Sequence, residues 1–261
     1  MYIVGSYTLA VIFCFVTMLC WGSWGNTQKL AAKSWRYELF YWDYVIGMVI
    51  FSLILAFTAG SIGSQGRPFL QDLAQVSWTS IGWVLLGAVI FNVSNILLSA
   101  SVSLAGIIMS FFSALVYNGV DLDNFASPAA GKMTPYTAMV IFALGVFLSN
   151  FIVNTIVMKK PFVGEPVTYK QYFAGNFKTH LVGILGGCIW ALGTSLNYIC
   201  AGTAGAAVSY ALGQGAPMIA AIWGVFIWKE FKGAPKKVYW LLALMFILFV
   251  AGLACVVKAG M

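Results

Sequence analysis

The sequence predicts an all-α fold, a polytopic transmembrane helix bundle of about eight spans with its N-terminus outside. Three observations lead to this prediction: the chain is 61% hydrophobic, only 8% of its residues are charged, and nearly all charges lie between long apolar stretches. Soluble domains carry about 25% charged residues. A chain with so few charges could not cover a water-facing surface, and we therefore expect its outer surface to face lipid. We expect residues 1–261 to form a single membrane domain.

Eight apolar stretches follow one another along the chain. A bilayer core about 30 Å thick requires roughly 20 helical residues. Seven stretches are long enough to cross it, and the fourth is short. The stretches cover residues 7–24, 39–59, 81–100, 104–117, 136–158, 181–200, 206–228 and 238–257.

The distribution of basic residues predicts the orientation and supports the short fourth span. Cytoplasmic loops accumulate Lys and Arg. If all eight stretches span and the N-terminus is outside, 11 of the 14 Lys and Arg residues lie on the inner side. Without the fourth span this asymmetry would largely vanish. The net charge of +7 is therefore explained by orientation in a cytoplasmic (inner) membrane rather than by nucleic acid as a partner.

The first span ends in a segment rich in Trp and Gly, residues 20–29. Trp21 and the polar Asn26 lie in this segment. The pattern predicts either a gate at the inner mouth of a solute pathway or an interfacial belt of aromatic residues. The sequence leaves both alternatives open.

The second span begins with aromatic residues and with Asp43. We expect the aromatic side chains of residues 35–44 to anchor the span at the membrane edge. Asp43 is the only carboxylate that we place within the membrane. It either relays a proton or a cation, or it pairs with a nearby base. The candidate bases are Lys29, Lys33 and Arg36.

Amide and hydroxyl side chains form rows at helical spacing on four later spans. In hydrocarbon each such group requires a partner or a water-filled cavity. The rows either line the path of a neutral, hydrogen-bonding solute or bond across helices. They comprise Asn92 and Asn95 on the third span, Asn150 and Asn154 on the fifth, Trp190 and Asn197 on the sixth, and Ser209 and Gln214 on the seventh.

Glycine and proline residues mark close packing and a helix break in the last third of the chain. Gly183 and Gly187 have the G-x-x-x-G spacing that brings two helix backbones together in lipid. Gly213, Gly215 and Pro217 interrupt the middle of the seventh span. Transporters use such interrupted helices to build solute sites.

The loops contain no catalytic constellation, so we expect neither an enzyme nor a cofactor. The five cysteines lie inside apolar stretches without metal-ligand spacing, and we expect them to behave as small buried hydrophobes. His180 lies just before the sixth span and is expected at the interface.

Several segments resemble the ureide permease-like branch of the drug/metabolite transporter superfamily, to which sugar porters of the glucose/ribose type are related. The resemblance implies ten spans in two inverted five-helix repeats, whereas this chain shows eight. The region of residues 103–118 looks like a splice at which the family would have more helices. The segments are CWGSWGN at 20–26, YELFYWDY at 37–44, NVSNILLSA at 92–100, PYTA at 135–138, SNFIVN at 149–154, SYALGQG at 209–215 and WKEF at 228–231.

We therefore expect a secondary transporter of a small polar solute such as a nitrogenous heterocycle, a ureide or a sugar. The solute would bind between the amide rows and stack on Trp190 or Trp21. The expected partners are this solute and the lipid bilayer, with a homo-oligomer left open. The alternatives are an exporter of drugs or metabolites and a degenerate, non-transporting membrane paralogue.

Overall fold

The computed structural model describes residues 1–31, 35–97, 112–122, 124–125 and 127–259. These residues form helices and no strand; an isolated bridge joins Val120 to Met133. The helices are α1 (Tyr7–Ser23), α2 (Asn26–Leu30), α3 (Tyr37–Phe57), α4 (Phe69–Gln75), α5 (Trp78–Leu97), α6 (residues 112–117), α7 (Pro135–Lys159), α8 (Tyr169–Phe173), α9 (Phe177–Ala204), α10 (Ala206–Gly213), α11 (Ala216–Ile222) with a π-helical turn (Trp223–Ile227), and α12 (Lys236–Ala259).

Six helical segments of the described chain are long and apolar enough to cross a membrane. They are α3, α5, α7, α9, the α10–α11 segment through Ile227, and α12, while α1 is a shorter apolar helix of 17 residues. The predicted fold class, a polytopic helical membrane bundle, is confirmed. Most of the predicted fourth span, residues 104–117, lies outside the described residues, so the count of eight and the orientation of the N-terminus stay predictions.

Polar side chains begin several of these helices. The first backbone N–H groups of a helix lack intrahelical partners, and a preceding Ser, Thr or Asn accepts from them. Ser6 accepts from the N–H of Leu9 before α1, and Asn176 accepts from the N–H of Thr179, at 2.8 Å, before α9. These caps fix where each helix enters the bundle.

Helices α3 and α9 form the centre of the bundle, with α1 packed on α9 and α7 packed on α3 and α5. Their backbones meet at glycines. A Cβ atom on Gly187 would collide with the carbonyl oxygen of Tyr44, and one on Gly47 would collide with that of Ile184. Only residues without a side chain allow this approach, which in lipid replaces the hydrophobic effect as the source of packing energy.

The aromatic residues that begin α3 lie inside the protein, so their predicted role as a membrane-edge belt is wrong. Tyr41 and Tyr44 are fully buried and Trp42 is nearly so. Helix α3 lies between α7 and α9, and its side chains therefore meet protein on most sides. Trp240, at the start of α12, is 76% exposed and fits the belt description.

The seventh predicted span is interrupted. Helix α10 ends at Gly213, a turn follows at residues 214–215, and α11 begins with Pro217 in its first turn. Proline is tolerated there because the first N–H groups of a helix have no intrahelical partner. The break places backbone and side-chain polar groups of this turn in the middle of an apolar segment.

Helix α12 lies at the edge of the bundle. It packs against α10, more than half of its apolar side chains are exposed, and Leu253 is the one described residue of this helix that is buried. Leu244, Ile247 and Leu248 are each more than half exposed. Such a continuous apolar surface is compatible with lipid rather than with water.

Candidate functional site

A cavity of about 410 Å³ lies between α1, α5, α6, α9 and the α10–α11 break. Four of the predicted solute-binding residues line it, namely Trp21, Asn95, Trp190 and Gln214. The remaining lining residues are aromatic or small: Gly22, Trp24, Phe91, Phe112, Tyr210, Ala216, Pro217 and Ala220. No charged side chain of the described chain lines this cavity, which we call the aromatic cavity.

The aromatic rings around Trp190 are closely packed. The ring of Trp190 lies 4.5 Å from the ring of Phe91 and stacks on Phe142 with an interplanar angle of 17°. Trp190 is 5% exposed, so its orientation is set by these neighbours rather than by solvent. Large flat rings held in this way present a prearranged surface to a planar ligand.

Trp21 forms the wall on the α1 side. Its Nε1 donates a hydrogen bond of 3.0 Å to the hydroxyl of Thr194 on α9, and its ring meets the edge of Tyr210 at 6.3 Å. The bond fixes the indole ring between α9 and α10. Beside it, Trp24 packs on Tyr44 with ring centroids 4.7 Å apart.

The two amides of the cavity come from different environments. Asn95 is buried, and its Nδ2 donates to the hydroxyl of Tyr41 at 3.4 Å. Its backbone carbonyl accepts from the hydroxyl of Tyr37 at 2.8 Å. Gln214 is exposed and occupies the turn between α10 and α11. Amides both donate and accept hydrogen bonds, so the pair is suited to a neutral polar ligand.

Three other predicted amides, those of Asn92, Asn154 and Asn197, bond across helices and do not line the aromatic cavity. Asn92 donates to the hydroxyl of Ser149 at 2.8 Å and joins α5 to α7. Asn154 donates to the carbonyl of Glu38 at 2.8 Å and joins α7 to α3. This arrangement corresponds to the alternative that the sequence left open, in which the amides stabilise the bundle.

Asn197 and Ser209 form the tightest of these links. Asn197 Nδ2 donates to the carbonyl oxygen of Ser209 at 2.9 Å, and the Ser209 hydroxyl donates to the carbonyl of Asn197 at 2.8 Å. Both residues are fully buried. They join the end of α9 to α10 and so position the break that carries Gln214.

Asn150 is fully buried on α7, and neither of its amide atoms has a hydrogen-bond partner within the described part of the chain. An unpaired buried amide is unfavourable. The helix-to-helix bonding that accounts for Asn92 and Asn154 therefore does not account for Asn150.

Asp43 lies away from the aromatic cavity and is 1% exposed. Its Oδ1 accepts a hydrogen bond of 2.7 Å from the hydroxyl of Tyr172. The Nδ1 of His180 also lies 2.7 Å from this oxygen. Burial, and then the bond to Asp43, raise the pKa of Tyr172 above its usual range. These contacts fix helix α8 against α3 and α9.

The predicted pairing of Asp43 with a base near its own helix is wrong in the described chain. Arg36 pairs with Glu38 at 2.7 Å, and Lys29 pairs with Glu230 at 2.5 Å; Lys33 lies outside the described residues. The partner is His180 of α9, for which the sequence predicts a position at the interface. Trp35 covers this contact, with its ring 5.0 Å from that of His180.

Asn26 borders a second cavity of about 290 Å³. Its Oδ1 accepts a 2.7 Å hydrogen bond from Nε1 of Trp228. This cavity shares Trp21, Gly22, Trp24 and Ala220 with the aromatic cavity, so the two adjoin.

Four aromatic lining residues are absent from the predicted set of solute-binding residues, although two of them carry a readable signal in the sequence. Phe91 and Asn95 are four residues apart, as are Tyr210 and Gln214, so each aromatic ring shares a helix face with a cavity amide. The predicted row begins at Asn92, whereas the face that lines the cavity begins one residue earlier, at Phe91. Trp24 and Phe112 are the other two.

The described residues contain no group of three His, Cys, Asp or Glu side chains placed to hold a metal ion. The aromatic cavity accordingly offers stacking and hydrogen bonding as its chemistry. Among its described lining residues, no nucleophile is paired with a base.

Comparison with known proteins relates the chain to a family of permeases. The ureide permease family profile matches residues 94–259. The chain is 25% identical to ureide permease 1 of Arabidopsis thaliana over 254 residues, which cover 95% of the chain and 62% of the relative. It is 27% identical to ureide permease 4 of the same plant over 158 residues, covering 60% and 39%.

The chain thus spans between 39% and 62% of the length of these curated relatives. No solved structure matches it.

Proposed function

Because the chain belongs to the ureide permease family, whose members are transporters and not enzymes, we propose that it is a secondary transporter whose solute binds in the aromatic cavity. One observation carries the proposal: Asn95 on α5 and Gln214 in the turn between α10 and α11 both line a cavity walled by Trp21 and Trp190. Stacking surfaces combined with a few hydrogen-bonding groups are typical of sites for small molecules.

The solute that we propose is a neutral, planar, nitrogenous molecule, a ureide or a heterocycle. The absence of charged side chains among the described lining residues argues against an anion or a cation, which would require a counter-charge in so apolar a site. A sugar also stacks on aromatic rings, so it belongs in the test as a competitor.

We assign the predicted site residues to two roles. Trp21, Asn95, Trp190 and Gln214 contact the solute. Asn26 borders the adjoining cavity. The helices that form the site are held by Asp43, Asn92, Asn154, Asn197 and Ser209. Asn150, whose buried amide has no hydrogen-bond partner in the described part of the chain, is assigned to neither role.

Movement at the α10–α11 break would give alternating access. The break carries Gln214 in a turn of two residues between α10 and α11. Rocking of the segments on either side would turn the cavity from one face of the membrane to the other, as in transporters with interrupted helices. We further propose that the protein works in the cell (cytoplasmic) membrane. We also propose that its family is a branch of the drug/metabolite transporter superfamily, related to the sugar porters of the glucose/ribose type.

An exporter is the second candidate, and one observation favours it. Gln214 also lines an apolar groove of about 410 Å³ between the α10–α11 break and α12, bordered by Leu248 and Phe249. Through this groove an apolar solute would reach Gln214 from the lipid. Transport from the bilayer outward, with no uptake of ureide, is the result that this candidate predicts.

Uptake by proteoliposomes tests the proposal. The purified chain should accumulate a radiolabelled ureide, and an unlabelled heterocycle should compete better than a hexose. Asn95→Ala and Gln214→Ala should each lower uptake about tenfold or less, the effect of one lost hydrogen bond. Asn118→Ala and Gln65→Ala, which remove exposed amides outside both cavities, serve as matched controls.

Uptake that is equal in all four variants would reject this site. Absence of uptake in the unmodified chain would support the alternative of a non-transporting membrane paralogue.

A further inference from the structure

The second cavity ends at an ion pair. Lys29 and Glu230 line its side away from the aromatic cavity, with Nζ and Oε1 2.5 Å apart. Trp228 lies beside them, with the Lys29 ammonium 5.1 Å from its ring centroid. We call these three residues the Lys29–Glu230 mouth.

Three side-chain contacts across this mouth join the same two segments. Trp223 Nε1 donates to the hydroxyl of Ser23 at 2.9 Å, Trp228 Nε1 donates to Asn26, and Lys29 pairs with Glu230. In each contact one residue belongs to the α1–α2 segment and the other follows α11. The contacts therefore act together, and they separate together if the two segments move apart.

The segment after α11 has an unusual backbone. It contains the π-helical turn Trp223–Ile227, and Lys229 follows with a positive φ of 54°. π-Helical turns occur frequently at functional sites, and a non-glycine residue with positive φ is uncommon. The turn brings the Glu230 carboxylate over Gly224, where an added Cβ would lie 2.9 Å from Oε2.

The ion pair is placed to break reversibly. The side chains of Lys29 and Glu230 are 48% and 49% exposed, so about half of each side-chain surface is accessible from outside the protein. An exposed pair contributes little net stability, and salt screens it. A buried pair would resist separation far more strongly, because each charge would lose its partner in a dry environment.

We propose that the Lys29–Glu230 mouth is a gate of the aromatic cavity, and that separation of the pair opens a route from water through the second cavity. The four residues shared by the two cavities mark where this route continues. The proposal that a solute uses the gate rests on the proposed transport function, whereas the opening of the cavity to water does not.

Thiol accessibility tests the opening without any transport assay. Ala216→Cys places a thiol in the aromatic cavity, in a full-length chain whose five native cysteines are replaced by Ser or Ala. In nanodiscs, a membrane-impermeant methanethiosulfonate should label this thiol roughly two- to fivefold faster in Lys29→Met or Glu230→Gln, the range for an exposed ion pair. The charge exchange Lys29→Glu with Glu230→Lys should restore the slow rate, and Lys236→Met should leave it unchanged.

Equal labelling rates in Lys29→Met, Glu230→Gln and Lys236→Met would overturn the gate. A thermal unfolding midpoint close to that of the parent chain shows that each variant is folded. Gly224→Ala provides a second variant that leaves both charges in place. It should displace Glu230 and raise the labelling rate in the same direction, and an unchanged rate would contradict the proposed geometry.

Cross-linking tests whether the solute passes this gate. A bismaleimide that links Lys29→Cys to Glu230→Cys should abolish the ureide uptake that this double variant shows before treatment, whereas the same treatment should leave the uptake of either single cysteine variant at its own untreated level. Full uptake by the cross-linked protein would overturn the gate as a solute route. Absence of uptake in the untreated parent would instead count against the proposed function. The labelling rates would then decide by themselves whether the Lys29–Glu230 mouth opens the cavity to water.

Discussion

The Oδ1 of Asp43 lies 2.7 Å from the Nδ1 of His180, although 137 residues separate them in the chain. Tyr172 donates to the same oxygen, and Gly183 leaves the space in which the aspartate packs. One carboxylate thus joins the central helix α3 to α9 and to the loop helix α8. The contact lies apart from the aromatic cavity, and its first role is to hold the bundle around that cavity.

Loss of this carboxylate should destabilise the protein. Asp43→Leu leaves the Tyr172 hydroxyl and the His180 ring without their acceptor, and we expect a loss of about 3 kcal/mol, the lower end of the range for breaking a buried pair. Tyr172→Phe removes one hydrogen bond and should cost about 1 kcal/mol. Thermal unfolding in detergent measures both, with Tyr2→Phe as a control at a half-exposed ring. Equal midpoints for Asp43→Leu and the parent chain would refute this role.

The raised pKa of Tyr172 gives stability a defined dependence on alkaline pH. The folded protein holds the phenol proton more tightly than the unfolded chain, in which tyrosine titrates near pH 10. The contribution is therefore complete below about pH 10 and is lost as the pH rises further. Denaturation at a series of pH values should show a smaller alkaline loss in Tyr172→Phe than in the parent. A steeper loss in Tyr172→Phe would give the opposite sign and contradict the argument.

Asp72 should be a second structural carboxylate, outside the long spans. It is fully buried on α4, pairs with Arg67 Nε at 3.1 Å and accepts from the N–H of Thr134 at 2.7 Å. It thereby joins the loop before α5 to the start of α7. We expect Asp72→Ala to lower stability by about 2–3 kcal/mol, less than for a fully buried pair because Arg67 is partly exposed.

The control for Asp72 is Glu165→Ala, which removes an exposed carboxylate. A thermal unfolding midpoint that falls equally in both variants would show that burial of Asp72 is not the cause.

Gly187 should tolerate no side chain. Gly187→Ala places a methyl group against the carbonyl of Tyr44, so α3 and α9 must move apart, at a cost of about 1–3 kcal/mol. Gly82→Ala is the matched control, because a Cβ on Gly82 meets nothing within 4 Å and alanine favours the helix. Unfolding midpoints should therefore shift in opposite directions. A shift of the same sign in both variants would contradict the close approach.

Much of the helical framework could be predicted because lipid imposes a simple rule. A segment that crosses hydrocarbon must satisfy its own backbone, so long apolar stretches become helices, and Gly213 with Pro217 mark the interruption. Gly183 and Gly187 were recognisable as packing positions for the same reason. These predictions depend only on neighbouring residues in the sequence.

The site depended on tertiary structure and was only partly predictable. Helical spacing shows which residues share a face, but not which face turns toward the cavity. Asn95 therefore lines the cavity, whereas Asn92, three residues earlier, bonds to α7. The partner of Asp43 was likewise out of reach, since only the folded bundle brings His180 beside it. The aromatic residues of α3 were misplaced because nothing local shows that this helix is central.

Equilibrium binding to the purified protein tests the central claim most directly, because it requires no transport. A tritiated ureide should bind to the parent chain in detergent. Asn95→Ala should weaken the affinity by up to about tenfold, and Trp190→Leu should weaken it to a similar degree, while Asn118→Ala leaves it unchanged. Binding that is unaffected by both cavity variants would show that the solute site lies elsewhere and would contradict the assignment of the aromatic cavity.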